Sequence, residues 1–219
     1  MPADTPTFAP ATDAQSVKEN NWPRRIPPVT NTKMIVAWNA LMISGLAKAG
    51  ATFACIDYLA LAIEPARYIQ QNQQIEGKLY RLNYDGEVAV LARAEDYALL
   101  IKALIDIQQA CLKFDDYRGQ AADWLAAAIA LQAQFDQTLG SAQEGYFNAS
   151  SDQLIVKERS YQDSAVPSAN GIAIASLVRL FLLTENLDYF TQAEAALVSF
   201  SHAIAKAPRA CPSLLSALD

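Results

Sequence analysis

The stretch Asn31 to Gly50, NTKMIVAWNALMISGLAKAG, decides how the rest of the chain is read. From about Met34 it reads as a helix that is apolar on nearly every side, through Ile35, Val36, Trp38, Leu41, Met42, Ile43, Leu46 and Ala47. Asn39, Ser44 and Lys48 are its clearly polar members. A surface helix carries a polar face, so this pattern predicts an inner helix packed by neighbours all round. Asn39 then needs a partner, because an unsatisfied buried amide costs about 1–3 kcal/mol. Two readings fit it: an amide tied to neighbouring backbone, or an amide lining a polar cavity.

Helical patterning continues downstream. A second helix follows with Asp57 as its N-cap and Tyr58, Ala62, Ala66 and Ile69 on one stripe; Pro65 inside it predicts a kink or a restart. KLYRLNYDGEVAV, Lys78 to Val90, splits into two β-like runs around Asp85-Gly86, a pair suited to a type I′ hairpin. A third helix runs from Ala94 to Cys111, and a fourth from near Asp116 to Leu139 with Gly140 as its stop. Gly145 to Phe147 and Leu154 to Val156 read as a second small hairpin. Ser168 caps a fifth helix reaching Leu183, Asp188 caps a sixth reaching Ala205, and a further apolar turn begins after Pro212.

Asp-Tyr recurs at residues 57, 116 and 188, each time opening the second helix of a pair. The unit is an apolar inner helix, a short link, Asp-Tyr and an amphipathic outer helix. Such repetition predicts an all-α chain of stacked helical hairpins, over about 34–71, 94–139 and 168–205, with the β excursions gathered on one end of the stack. Loops collected on one end are where function concentrates. Residues 1–30 hold six of the ten prolines and lack periodicity, which predicts a flexible lead-in to a folded part over 31–219.

Composition narrows the function. With 52% hydrophobic residues the chain is globular, and 17 basic against 23 acidic residues leave a net charge of −6. There is no basic cluster beyond Arg24-Arg25, which speaks against a nucleic-acid or anionic-membrane partner. A charged start followed by an apolar core is missing, as is a bilayer-length apolar run, so the cytoplasm is the expected compartment. Cys55, Cys111 and Cys211 are far apart and odd in number, as expected of reduced core thiols. His202, the single histidine, sits mid-helix in the last pair and reads as a partly exposed structural residue; one histidine excludes a two-histidine metal site and disfavours paired-histidine acid/base chemistry. No G-x-G-x-x-G or P-loop pattern is present. No metal or cofactor is expected.

TKMIVAWNALMISGLA, EDYALLIKAL and DSAVPSANGIAIASLVRL, three motifs in order, closely resemble the helical region of the YyaL-like, thioredoxin-domain-containing spermatogenesis-associated protein family. The resemblance covers roughly Arg24 to Asp219. It implies a ring of helical hairpins like the α/α toroids of six-hairpin glycosidases and sugar epimerases, of which this chain holds about half, as a fragment. Where the family has an acid before its Thr-Lys or Asp-Lys pair, this chain has Asn31. No redox function carries over, because the thioredoxin-like part that would bear paired cysteines is not in this sequence.

In such toroids helix starts and loops form the rim of a central funnel. Candidate acids are therefore Glu95 and Asp96, in the first turn of the third helix, and Asp163, five residues before Ser168. A carboxylate pair is what glycoside hydrolysis uses, one group protonating the leaving oxygen and the other attacking or activating water. Trp38 and Tyr97 are candidate walls, and Asn39 and Asn170 candidate amides, for a small carbohydrate. The plainer alternative assigns first-turn acids to the helix dipole and Asp163 to the amides of the fifth helix. The functional expectation is thus a sugar-processing or sugar-binding toroid arc. Its alternative is a non-catalytic helical scaffold or truncated remnant that packs with further hairpins, with a copy of itself, or with a thioredoxin-like partner.

Overall fold

The computed structural model describes residues 30–141, 145–150 and 156–218. The expected lead-in therefore lies almost wholly outside the described residues, as do Leu154 and Ile155 of the expected second hairpin. From Met34 onward the order is β1 (Met34–Ile35), α1 (Val36–Phe53), α2 (Ile56–Asn72), β2 (Gln74–Ile75), β3 (Lys78–Tyr84), β4 (Glu87–Leu91), α3 (Ala94–Cys111), the one-turn α4 (Asp115–Arg118), α5 (Ala121–Leu139), β5 (Gly140–Ser141), β6 (Gly145–Tyr146), α6 (Ala169–Thr184), α7 (Leu187–Lys206) and α8 (Pro212–Ser216). A 3-10 turn at Pro208–Ala210 precedes α8.

Helices α1, α3 and α6 form an inner row, each neighbour packed on the next, while α2, α5 and α7 each back onto their own inner partner. This is the α/α toroid architecture of helical hairpins. Asp57, Asp116 and Asp188 are each the second residue of a helix, so the Asp-Tyr repeat marks one structural position three times. In the middle pair that helix is the single turn α4, separated from α5 by Gly119 and Gln120, where one continuous helix was expected.

The most enclosed helix is α3. Fifteen of its 18 residues are buried, against seven of the 18 in α1. Leu100, Ile101, Leu104, Ile105 and Ile107 of α3 have at most 1% of their surface exposed, each worth about 1.5–3 kcal/mol of burial. α3 has helices on three sides, whereas α1 leaves Trp38 and Met42 64% exposed, so the all-round burial expected of α1 belongs to α3. Asn39 takes the local option and donates to the Ile35 carbonyl at 2.9 Å.

Asp85 (φ 52°) and Gly86 (φ 92°) are both left-handed, as a type I′ turn requires, and β3 pairs with β4 from Tyr84 opposite Glu87 to Tyr80 opposite Leu91. β3 is also the partner of β1 and β2, so the hairpin is fastened beneath the start of α1. Met34 and Ile35, expected inside the first helix, are instead paired with Asn83 and Leu82. α2 runs unbroken through Pro65; the carbonyl deprived of a donor is that of Leu61, an exposed residue where water can meet it. β6 pairs with β5, so Gly145 and Tyr146 turn back on Gly140 and Ser141. Caps differ in detail: Ser168 caps α6 through the Gly171 amide as expected, but Cys55 precedes α2, and Asn186 caps α7 by accepting from Asp188.

Candidate functional site at the helix starts

The start of α3 is held by one carboxylate. Asp96 is fully buried; its Oδ1 accepts from the Ala37 amide (3.0 Å) and its Oδ2 from the Arg93 amide (2.9 Å) and Arg81 Nη1 (2.8 Å). The bond to Arg93 is the reach-back half of a capping box. Burial pushes the Asp96 carboxyl up, and the Arg93 amide and Arg81 pull against that rise. Arg81 also pairs with Glu95, tying the β3–β4 hairpin to α3. Burial alone would lower the Arg81 guanidinium, but Asp96 and Glu95 outweigh it and raise it further.

Asp163 does similar work at the start of α6. Its Oδ1 accepts from the Ser168 amide (2.8 Å) and the Ser213 hydroxyl, and its Oδ2 from the Ser213 amide (2.8 Å). One side chain thus clasps the starts of α6 and α8. Burial works to raise this carboxyl, yet the Ser213 and Ser168 hydrogen bonds outweigh it and hold Asp163 below the usual carboxylate range. Gly171 leaves room for the clasp, since a Cβ there would overlap the Ser213 hydroxyl.

The remaining candidates divide. Tyr97 is buried, stacks on Phe135 at 5.1 Å and bonds Thr138 and the Leu79 backbone, so it is core and not a wall. Asn170 is buried with Oδ1 accepting from the Tyr146 amide (2.7 Å) and Nδ2 donating to the Tyr146 (3.0 Å) and Ser160 (2.8 Å) carbonyls. It sews Tyr146 and Ser160 to α6. Trp38 is exposed on α1, and Asn39 is spent on Ile35. Glu95 alone of the seven lines a cleft, a polar hollow of about 180 Å³ between the starts of α3 and α6, shared with Arg93, Asn148, Ser160, Gln162 and Ser168. The Asn148 carbonyl accepts from the Ala94 amide (3.0 Å), so Asn148 also meets the start of α3.

No family model matches the chain. It is 28% identical to human spermatogenesis-associated protein 20 over 209 residues, covering 89% of this chain and 26% of that protein. To an uncharacterized protein of Caenorhabditis elegans it is 30% identical over 216 residues, 94% of this chain and 28% of that one. Homologues named spermatogenesis-associated protein 20 thus match most of this chain at about 28% identity. The chain spans about a quarter of the length of these relatives. Among solved structures it is similar to a GH76 alpha-mannanase of Bacteroides thetaiotaomicron (TM-score 0.62, 17% identity, 83% of this chain and 46% of that one). It is also similar to a D-mannose isomerase (0.58, 16%, 88% and 52%) and to a family 105 glycoside hydrolase of C. acetobutylicum (0.59, 12%, 77% and 48%). At these identities the likeness establishes the fold.

Sequence reading missed one charged centre altogether. Asp106 of α3 is buried, with Lys102 Nζ at 2.8 Å, Arg179 Nη2 at 2.7 Å and Lys48 Nζ at 3.8 Å, and Ser44 donates to it. These residues come from α1, α3 and α6. The one available signal was Lys102 and Asp106, four apart in a stretch, Ala98 to Ile107, that is otherwise apolar. Burial works to raise Asp106, but Arg179 and Lys102 outweigh it and hold the carboxyl low. Burial pushes the Lys102 ammonium down against the pull of Asp106.

Proposed function

We propose that the cleft between the starts of α3 and α6 binds a small carbohydrate, and that this chain supplies a sugar-binding wall of an α/α toroid and not a two-carboxylate hydrolytic pair. The observation that carries this reading is the company of Glu95: it is the single acid among the residues lining the cleft, beside the amides of Asn148 and Gln162, three serines, Arg93 and a small apolar patch that includes Val166 and Pro167. Hydrolysis would need a second carboxyl about 5–9.5 Å away with an oxygen free to act. Asp96 and Asp163 each spend both oxygens on amides and neighbouring side chains, and neither lines the cleft. That the similar solved structures include a mannanase and a mannose isomerase supports a carbohydrate as the ligand. The test is saturation-transfer NMR with mannose and mannotriose on the wild-type chain and on Glu95→Gln. Binding in the range of about 1–10 mM, weakened several-fold by Glu95→Gln, is expected. No transfer to either sugar refutes sugar binding, and release of reducing sugar that disappears in Glu95→Gln refutes the binding-only role.

A second reading rests on apolar surface exposed at the first and last hairpins. Trp38 and Met42 stand exposed on α1, and Phe190, Val198 and Leu218 surround an apolar hollow of about 600 Å³ against α7. Apolar patches of this kind mark contact surfaces. The chain matches 46% and 52% of the solved mannanase and isomerase, so two copies have the length of one ring, and a second copy is the proposed occupant. Light scattering should give a dimer mass that reverts to the monomer in Val198→Glu; a monomer in the wild type removes this reading.

A further inference from the structure

The inner row lines a further hollow, about 330 Å³, formed by Lys48, Lys102, Asp106, Gln109, Ser176 and Arg179, with Ile172 and Ala175 as its apolar patch. Its size falls at the lower end of small-molecule sites. Three cations surround one carboxylate, which leaves two positive charges unbalanced. A lone structural ion pair explains one cation, and hydrogen bonding places Lys102 there, since it donates to both Ser44 and Asp106. Arg179 is less committed. Its contact with Asp106 Oδ1 is an ion contact, that oxygen having no aligned hydrogen bond among the described residues. The guanidinium carries five N–H donors, and its hydrogen bond among the described residues goes to Gln109 at 2.9 Å. Lys48 stands farthest from Asp106, with 60% of its side chain exposed at the mouth.

An independent observation points the same way. Ser176 is 1% exposed and lines this hollow, yet its hydroxyl has no hydrogen-bond partner among the described residues. A mid-helix serine ordinarily bonds back to the carbonyl four residues earlier, and leaving a buried hydroxyl unmatched costs about 1–3 kcal/mol. A ligand oxygen would satisfy it.

We infer that this hollow is a binding site for a small phosphomonoester, held by Arg179, Lys48 and Lys102 with the Ser176 hydroxyl donating to a phosphate oxygen. Charge selects the class. A phosphomonoester carries about −1.5 to −2 at pH 7, which matches the two unbalanced positive charges, whereas a carboxylate would neutralise one. The site uses side chains and needs no glycine cradle. Asp106 keeps Lys102 and Arg179 gathered and acts as a positioning residue.

The experiment is isothermal titration of the 219-residue chain with inorganic phosphate and with glucose 6-phosphate, with glucose and glucuronate as separate arms at matched ionic strength. Glucose 6-phosphate should bind with a Kd of about 1 mM or tighter, and more weakly as salt rises. Lys48→Gln, on an exposed side chain that folding does not need, should weaken it about tenfold, a loss of one charge contact. Arg179→Gln should weaken it further, and Glu95→Gln should leave the binding of inorganic phosphate, which has no sugar for the helix-start cleft, unchanged. The inference is overturned if phosphate and glucose 6-phosphate fail to bind, if Lys48→Gln binds as the wild type does, or if glucuronate binds as tightly as glucose 6-phosphate. Loss of inorganic phosphate binding in Glu95→Gln would move the ligand to the helix-start cleft and equally overturn it. Because glucose and Glu95 report on the proposed sugar cleft, failure there and failure here give different patterns.

Discussion

The carboxylates at the helix starts and the carboxylate in the middle of α3 keep different company. Asp96 and Asp163 are met chiefly by backbone amides, Ala37 and Arg93 for one, Ser168 and Ser213 for the other. Among the described residues Asp106 is met by side chains: Lys48, Lys102, Arg179 and Ser44. Amides at a helix start are fixed by the backbone, so a carboxylate there holds elements in place. Long cationic side chains can turn toward something else, so a carboxylate there gathers charge that a ligand can share. In this fold, acids at the rim build and the acid of the inner row recruits.

Breaking the inner partner should cost most. Asp106→Ala leaves Lys102 and Arg179 unpaired and should destabilise by about 3–5 kcal/mol in urea unfolding. Asp96→Ala removes three hydrogen bonds but leaves Arg81 its Glu95 partner, so about 2–3 kcal/mol is expected. Were Asp96→Ala the more damaging of the two, the distinction between rim and inner row would fail.

Asp163→Asn should cost about 1–2 kcal/mol at pH 7 and carries a pH signature. Its folded carboxyl titrates below the usual range, so the stability it confers is present above about pH 4 and is lost as pH falls through the folded value. Urea midpoints of wild type and Asp163→Asn should therefore converge as pH falls below about 4; a gap that stays constant on acidification would contradict the clasp. The smallest effect sharpens the contrast most. Lys48→Gln should change stability by no more than about 0.5 kcal/mol while weakening phosphate binding.

Local chemistry made much of the fold legible. Asp85-Gly86 dictated its turn, the bounds of α3 followed from periodicity, and Ser168 capped as its hydroxyl allows. The misreadings arose where distant partners decide. Met34 and Ile35 are strand only because Leu82 and Asn83 lie beside them, and α1 is half bare although its composition is that of a buried helix. Asn186 displaced Asp188 as the cap because two competent residues lay within one turn and the chain enters the helix at the first. Candidate acids could be found from helix starts, yet which oxygens were already taken could not. The Asp106 centre joins residues 48, 102, 106 and 179, a set that exists only once three helices are packed.

Exposed Trp38 gives the molecule an optical reporter. Trp124 is 4% exposed and Trp38 64%, so red-edge emission and iodide quenching select Trp38, with Trp22 replaced by phenylalanine to clear the background. A second copy seated on α1 would move that emission toward the blue and close it to iodide. A bare α1 would leave it red and quenchable at every protein concentration, so one cuvette and a dilution series read the state of the ring's open end.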